Sequence, residues 1–510
     1  MRGPHNIIRL IRTGATLERT GAMNVVLDAY DAPPTLRFVA RLLGIPFMWL
    51  GYRGDPNMPP ATRALTALGP AYIKFGQVLS TRPDLVGDDL AGQLRVLQDK
   101  LPPFPTDLAR AEVEKELGVK IDDVFSEFSD SIAAASIAQV HKARLTDTGE
   151  EVAVKVLRPG IERAFRRDID AFYFAARTID LFAPGARRLR PMDVIEHFDG
   201  VVRGELDLRL ESASASEFDA NTHDDPGFQL PPIKWNLSAR RVMTLGWADG
   251  IPLGDNAALD AAGHDRAQLG ERVLRLFLLH ALRDGFFHSD MHQGNLKVAA
   301  NGDIIAYDFG IMGHIDEYTR RVYAEILFGF IKRDYKRVAE VHFEAGYVSA
   351  DRDVDEFARA LRAVGEPIFG MDASHISMGR LLTYLFEVTE RFGMETRTEL
   401  ILLQRTMVVV EGVARSLNPN INIWQVARPV VEDYIKQSIG PRAVAADLAK
   451  TAMVLARFGP RLPGLVKTVL IEQSGPRETQ RRIGAGPLIL ATLSGAVGGA
   501  AIALLFQYLV

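Results

Sequence analysis

Apolar residues fall into two different rhythms along this chain. Through residues 1–125 they form amphipathic helical stretches, broken at Asp31-Ala32-Pro33-Pro34, at Pro59-Pro60 and at the proline cluster Pro102-Pro103-Phe104-Pro105. Thr106 is placed to cap the next helix, which runs through 109–117 and stops at Gly118. The rhythm then changes. Segments 137–145 and 152–157 are short and β-rich, and Thr146-Asp147-Thr148-Gly149-Glu150 joins them as a hairpin. Helices follow through 160–220, and a strand pair is expected at 234–235 and 241–245. From Ala267 onward the pattern is mostly helical. The exception lies near 295–308, where two short β-rich runs flank Asn301-Gly302, a strong hairpin turn. These blocks predict an N-terminal helical extension over 1–125, a small lobe over 126–250 and a larger helical lobe over 251–475, with a cleft between the lobes.

The last stretch, 488–510, carries no charged residue. At 1.5 Å per residue, a helix of that length covers a hydrocarbon core of about 30 Å. Arg477, Arg481 and Arg482 precede it, and the positive-inside rule puts that flank in the cytoplasm. The expectation is a single-pass transmembrane helix near the C-terminus with the rest of the chain cytoplasmic. Gly495 and Gly499 form a small-residue pair that would let two such helices meet in a homodimer. The apolar run after the N-terminus is too short, and too interrupted by Arg9 and Arg12, for a secretory signal.

Composition narrows the chemistry. The formal net charge is -4 and the pI about 6.3, without the basic excess of a nucleic-acid binder. There is no cysteine, which excludes disulfides, thiolate metal sites and cysteine nucleophiles. With apolar residues at 47%, the chain can bury a sizeable core.

Three clusters point to phosphoryl transfer. In His288-Ser289-Asp290-Met291-His292-Gln293-Gly294-Asn295, an aspartate and an asparagine share one loop; a hairpin then leads to Asp308-Phe309-Gly310. Phosphoryl transfer needs a carboxylate near the attacked phosphate and oxygen ligands for magnesium. This order matches the H-x-D-x-x-x-x-N and D-F-G elements of protein kinases. Val152-Ala153-Val154-Lys155 puts a lysine on a strand, where it can reach the α- and β-phosphates of ATP. Glu205, Asp207 and Glu211 follow, and each is a candidate partner for Lys155. In place of a glycine-rich phosphate loop stands Ala133-Ala134-Ala135-Ser136-Ile137-Ala138-Gln139-Val140, which alanine makes stiffer. No Ala-Pro-Glu follows Asp308-Phe309-Gly310, so a protein-substrate platform is not expected.

Together these elements resemble the UbiB family of atypical kinases, and Lys74-Phe75-Gly76-Gln77 matches that family's K-x-G-Q motif. The likeness spans roughly 60–420. It implies an α+β, protein-kinase-like two-lobed fold, with the helical extension folded over the active site and a C-terminal transmembrane helix. Lys74 and Gln77 would belong to that cover, Lys74 pairing with the Glu205/Asp207 element. Lys155 with Glu211 would position the nucleotide beneath Ala133, Ala134, Ala135, Ser136, Ala138 and Val140. Asp290 would be the catalytic-loop carboxylate, and Asn295 and Asp308 the Mg2+ ligands. The implied output is ATP hydrolysis supporting ubiquinone biosynthesis at the bacterial inner membrane, with lipid, ubiquinone intermediates or biosynthetic proteins as partners. A small-molecule kinase, a protein kinase and a nucleotide-binding scaffold are the alternatives. The family's catalytic loop commonly has His-Pro before Gly-Asn; here the loop reads His292-Gln293-Gly294-Asn295.

Overall fold

The computed structural model describes residues 5–29, 44–80, 86–94, 102–182, 190–369 and 398–438, with isolated residues 34, 37, 38, 42, 97, 384, 385, 388 and 391–394. The described residues divide into two compact units: those within 1–212 and 233–247, and those within 213–232 and 248–438. The described strands are β1 (Phe125–Ala134), β2 (Ala138–Leu145), β3 (Glu151–Leu157), β4 (Phe228–Gln229), β5 (Val242–Gly246), β6 (Ile251–Pro252), β7 (Phe286–His288), β8 (Leu296–Val298), β9 (Ile304–Ala306) and β10 (Met312–His314).

The first unit begins with helices α1 (His5–Thr20), α2 (Ala22–Ala29), α3 (Pro60–Leu68), α4 (Pro70–Ser80) and α5 (Asp88–Leu94). Pro60 and Pro70 open their helices, where a missing N–H costs nothing. Ala61, Ile73, Leu90, Ala91 and Leu94 bury the shared face. Helix α6 (Thr106–Leu117) ends at Gly118, whose φ of 69° is the left-handed conformation that stops a helix. Thr106 is not the cap. It is the first helical residue, and its hydroxyl donates to Asp130.

The sheet of this unit runs β1-β2-β3-β5, antiparallel throughout. Alternate residues Val152, Val154 and Val156 enter one core with Val113, Phe125, Ala143 and Val242. The β2–β3 hairpin lies where the alternation predicts it. The expected strand at 234–235 does not form: Trp235–Leu237 is a 3-10 turn, and only an isolated bridge joins Ile233 to Leu245. Helices α7 (Ile161–Phe182), α8 (Pro191–Glu205) and α9 (Leu208–Thr222) follow β3, and the chain passes from the first unit to the second within α9.

In the second unit, β4-β9-β8-β6 form one small sheet and β7 pairs with β10 in another. Around them stand α10 (Arg266–Leu279), α11 (Glu317–Lys332), α12 (Tyr335–Glu344), α13 (Val354–Phe369), α14 (Thr398–Leu417) and α15 (Ile423–Ser438). A core of Val322, Ile326, Phe330, Tyr335, Val338, Phe357 and Leu361 joins α11, α12 and α13.

One part of the expected fold is corrected. Among the described residues, no helix is long and apolar enough to cross a membrane. The longest, α7, carries Arg163, Arg166, Arg167, Asp168, Asp170, Arg177 and Asp180, and α14 carries Arg405, Glu411 and Arg415. The helix expected at 488–510 and the Gly495/Gly499 pair lie outside the described residues. The single-pass inner-membrane placement that rested on them is therefore not supported.

Candidate functional site

In the first unit, β3 alternation sends Val154 and Val156 into the core and Lys155 to the opposite face. Lys155 sits opposite Val140 on β2 and Met243 on β5, so backbone pairing fixes it from both sides. Its Nζ meets Glu211 Oε1 at 2.6 Å, both side chains largely buried. Glu211 lies in the first turn of α9, where the helix dipole favours a carboxylate. Of the three acidic candidates, Glu211 takes Lys155. Asp207 instead makes two contacts with the Arg209 guanidinium, at 2.6 and 2.9 Å, which holds its pKa below the ordinary carboxylate value. Glu205, the last residue of α8, meets Lys74 Nζ at 2.6 Å, again with little exposure on either side. The bend between α8 and α9 thus carries a lysine–glutamate pair on each flank.

Each letter of the Lys74-Phe75-Gly76-Gln77 run has a contact. Phe75 packs its ring against Phe172 of α7 and Phe198 of α8, with centroids 5.0 and 5.1 Å away, which seats α4 on those helices. A Cβ on Gly76 would strike the Cδ1 methyls of Leu97 and Leu65, so those two side chains would have to shift to admit it. Gln77 Nε2 donates to the Leu97 carbonyl at 3.4 Å.

The alanine run is the turn between β1 and β2. Ala133 and Ala134 end β1, Ala138 begins β2 and Val140 continues it. Ala133 is exposed, Ala134, Ala135 and Val140 are half-buried, and Ser136 and Ala138 are turned inward. The turn closes through Ala135 N–H to Ala138 O at 2.8 Å. Arg158 donates to Ala135 O through Nε at 3.2 Å and Nη2 at 3.0 Å.

The second unit assembles the other residues from two strand pairs. Pairing of His288 with Met312 and Phe287 with Gly313 joins β7 to β10, and Ser289 N–H adds a bond to Ile311 O at 3.0 Å. That stitching holds the loop bearing Asp290 beside the segment Asp308-Phe309-Gly310. A Cβ on Gly313 would strike Phe287 and Ser289. Within the loop, Asn295 Nδ2 donates to Asp290 O at 3.0 Å and lies 3.4 Å from Asp290 Oδ2. Asn295 then leads into β8, the turn at Gly302 (φ 87°) reverses the chain, and β9 returns it to Tyr307 and Asp308. Tyr307 N–H reaches Asn295 O at 3.4 Å, so Asn295 and Asp308 flank the open end of one hairpin. Phe309 is buried between Phe218 and His288. Burial pushes the His288 pKa down, opposed by the Asp308 and Asp290 charges and the Asp308 backbone. Its Nδ1 accepts from Asp290 N–H at 3.1 Å, consistent with a neutral ring.

The chemistry of the donors suits magnesium, which takes one or two protein oxygens and completes its shell with water and phosphate oxygens. With Asn295 Nδ2 committed to Asp290 O, its Oδ1 is the atom that would join the Asp308 carboxylate on a cation. Among the described residues, no group of three or more His, Asp or Glu could hold a metal by itself.

A family model described as the ABC1 atypical kinase-like domain matches residues 96–342. A second, the UbiB helical domain, matches 361–422. Probable protein kinase UbiB of Marinobacter nauticus is 40% identical, over 82% of this chain and 78% of that protein. The Aeromonas hydrophila protein of the same name is 41% identical, over 92% and 86%. The chain belongs to the UbiB family. A solved structure from Mycobacterium tuberculosis, of a protein in complex with erythromycin, is 26% identical; it covers 70% of this chain and 90% of that one at a TM-score of 0.48.

The UbiB models divide the site in an instructive way. The kinase-like match holds Lys155, Glu211, Asp290, Asn295 and Asp308, whereas Lys74 and Gln77 precede it. The helical match contains α14, whose Thr406 hydroxyl donates to Ser289 O at 3.0 Å, next to Asp290. Two further residues were not singled out from sequence. His292 Nδ1 accepts from Gly294 N–H at 2.9 Å, which turns Nε2 to within 3.5 Å of Asp290 Oδ2. Its position two residues after Asp290 was the available signal. Arg158 had none, because an arginine just past a strand reads as a solvated end.

Proposed function

We propose that this UbiB-family protein binds ATP with Mg2+ and cleaves the terminal phosphate in support of ubiquinone biosynthesis. The observation that carries the reading is the delivery of Asp290, Asn295 and Asp308 by two interlocked strand pairs of one unit. Bound magnesium would bridge phosphate oxygens and neutralise their charge. Asn295 Oδ1 and the Asp308 carboxylate would hold it. Asp290, more exposed than Asn295 and restrained through Asn295 Nδ2, would orient the attacking hydroxyl or water and accept its proton. Lys155, directed by Glu211, would contact the α- and β-phosphates under the alanine turn. Lys74 and Gln77 are assigned to restricting access: Lys74 is engaged by Glu205 and Gln77 by the Leu97 carbonyl.

A small substrate or water is favoured over a protein substrate as the acceptor. After Gly310 the chain enters β10, and Asp316 caps α11 through Thr319 N–H at 2.9 Å. That leaves no length for an activation segment. Ubiquinone intermediates, or the proteins that make them, are the proposed partners.

The test is phosphate release from ATP by the full chain and by Asp308→Asn, with and without Mg2+. The variant is expected to lose at least about 100-fold in Mg2+-dependent turnover, the scale of removing a charged transition-state contact. Turnover equal to the parent would refute the assignment.

A further inference from the structure

Within the second unit lies a cavity of about 100 Å3 that no part of the proposed chemistry uses. One side of its wall comes from the kinase-like match: Phe277 of α10 and Ile315, the residue after β10. The other side comes from Leu403 and Met407 of α14, in the helical match, and from Ala427 of α15. The lining is almost wholly carbon. Its surface offers few of the two to four polar partners a buried water needs, and well-packed interiors leave few voids larger than a water. An apolar cavity of about 150 Å3 takes up benzene, so this one falls in the range of a single small ring or a branched alkyl group.

Its location gives it a connection. Ile315 N–H bonds to Gly285 O at 2.7 Å, and Gly285 is the residue before β7. A Cβ on Gly285 would strike Ile315 O and the Arg320 side chain, so this junction has no slack. Phe277 meets the Phe287 ring of β7 edge-on, with centroids 5.7 Å apart. Two wall residues therefore touch the strand pair that carries the Asp290 loop and the Asp308 segment.

We infer that this cavity is a binding site for a compact apolar molecule, one ring or a branched alkyl group, and that its occupancy is transmitted to β7 and β10. An occupant presses on Ile315 and Phe277, which are fixed to Gly285 and Phe287. The binding step stands alone; only its consequence for turnover rests on the nucleotide reading above.

The test uses the full chain with methyl- and glycine-labelled NMR samples and benzene as the probe. Benzene is expected to produce saturable shifts in the Ile315 methyl and the Gly313 amide of β10. Ala427→Leu, which fills the space, should weaken binding at least tenfold. Should that variant fail to fold, Met407→Phe fills from another wall. Non-saturating shifts in the parent, or equal affinity in a folded filled variant, would overturn the site. Saturation at Ile315 with no change at Gly313 would overturn the transmission. A fluorescent ADP analogue is titrated into the same samples. Benzene binding without nucleotide binding would sink the ATP reading and leave the cavity standing; nucleotide binding without benzene binding would do the reverse.

Discussion

Removing one partner of the Lys155–Glu211 pair should cost more than removing both. At 2.6 Å, the attraction is about 6 kcal/mol at an effective dielectric of about 20, before desolvation. The side chains are 18% and 11% exposed, so each has lost much of its hydration, and desolvation takes back several kcal/mol. A net coupling of about 0.5–3 kcal/mol remains, the range measured between groups in direct contact. The cycle is Lys155→Met, Glu211→Gln and the double variant. Unfolding in urea is followed by fluorescence, to which Trp235 and Trp247 of the first unit contribute. Each single variant takes this partner from the remaining half-buried charge, so the double variant should be more stable than the sum of the two losses predicts. Nucleotide affinity separates the roles: Lys155→Met should lose more than Glu211→Gln, because in the proposed function the lysine would touch phosphate and the glutamate would act through it. Single-variant losses that add to within about 0.5 kcal/mol would refute the pair as an energetic unit.

Gly76→Ala puts a Cβ against the Cδ1 methyls of Leu65 and Leu97, which must shift to admit it; it should cost about 1–3 kcal/mol as overpacking, with a lower urea midpoint and no direct effect on Asp308. His342 is buried with its Nδ1 on Val338 O at 2.8 Å, and burial depresses its pKa from 6.5 to about 4. Since the folded value lies below the unfolded one, the unfolded chain takes up the proton first. Stability is unaffected above pH 6.5 and falls as pH drops from there to about 4, by up to about 3 kcal/mol. His288 acts in the same direction. Urea midpoints across that window should fall less steeply in His342→Gln than in the parent, and identical slopes would refute the assignment.

The parts of the fold that sequence revealed are those set by near neighbours. Asn301-Gly302 names its own turn, the valine alternation through Val152–Val156 sets the face of Lys155, and Gly118 stops a helix by its backbone freedom alone. What escaped depends on distant partners. Strand β1 reads Phe-Ser-Glu-Phe-Ser-Asp-Ser-Ile-Ala-Ala, with half its positions exposed and three register shifts against β2. An edge strand of that kind has neither clean alternation nor β-branched bulk to announce it. The choice among Glu205, Asp207 and Glu211 was likewise open, because it is decided by where α8 ends and α9 begins. Arg209, two residues from Asp207, removes that carboxylate from the competition. Even Gly76 carried no local signal: its need for a missing Cβ comes from Leu65 and Leu97, eleven and twenty-one residues away in sequence.

The alanine turn between β1 and β2 takes its shape without glycine. Outside glycine, only Arg190 and Arg333 have positive φ among the described residues, so the turn asks nothing of Ala133, Ala134 or Ala135 that a Cβ forbids. Its position is set from behind. Gln139, buried in β2, accepts from Phe104 N–H at 2.9 Å and donates to Phe104 O at 3.2 Å, so one side-chain amide stands in for a neighbouring strand. Arg158 spans the same gap, bonding Ala135 O on one side and Pro102 O on the other at 2.8 Å, with its guanidinium over the Phe104 ring. Pro102, Pro103 and Pro105 fix φ through the segment that both side chains grip. A glycine-rich loop obtains close approach by being small and mobile, and pays in chain entropy. Here the same place in the lobe is held by a stiff turn tied to a stiff proline segment, so its geometry is set by the fold itself.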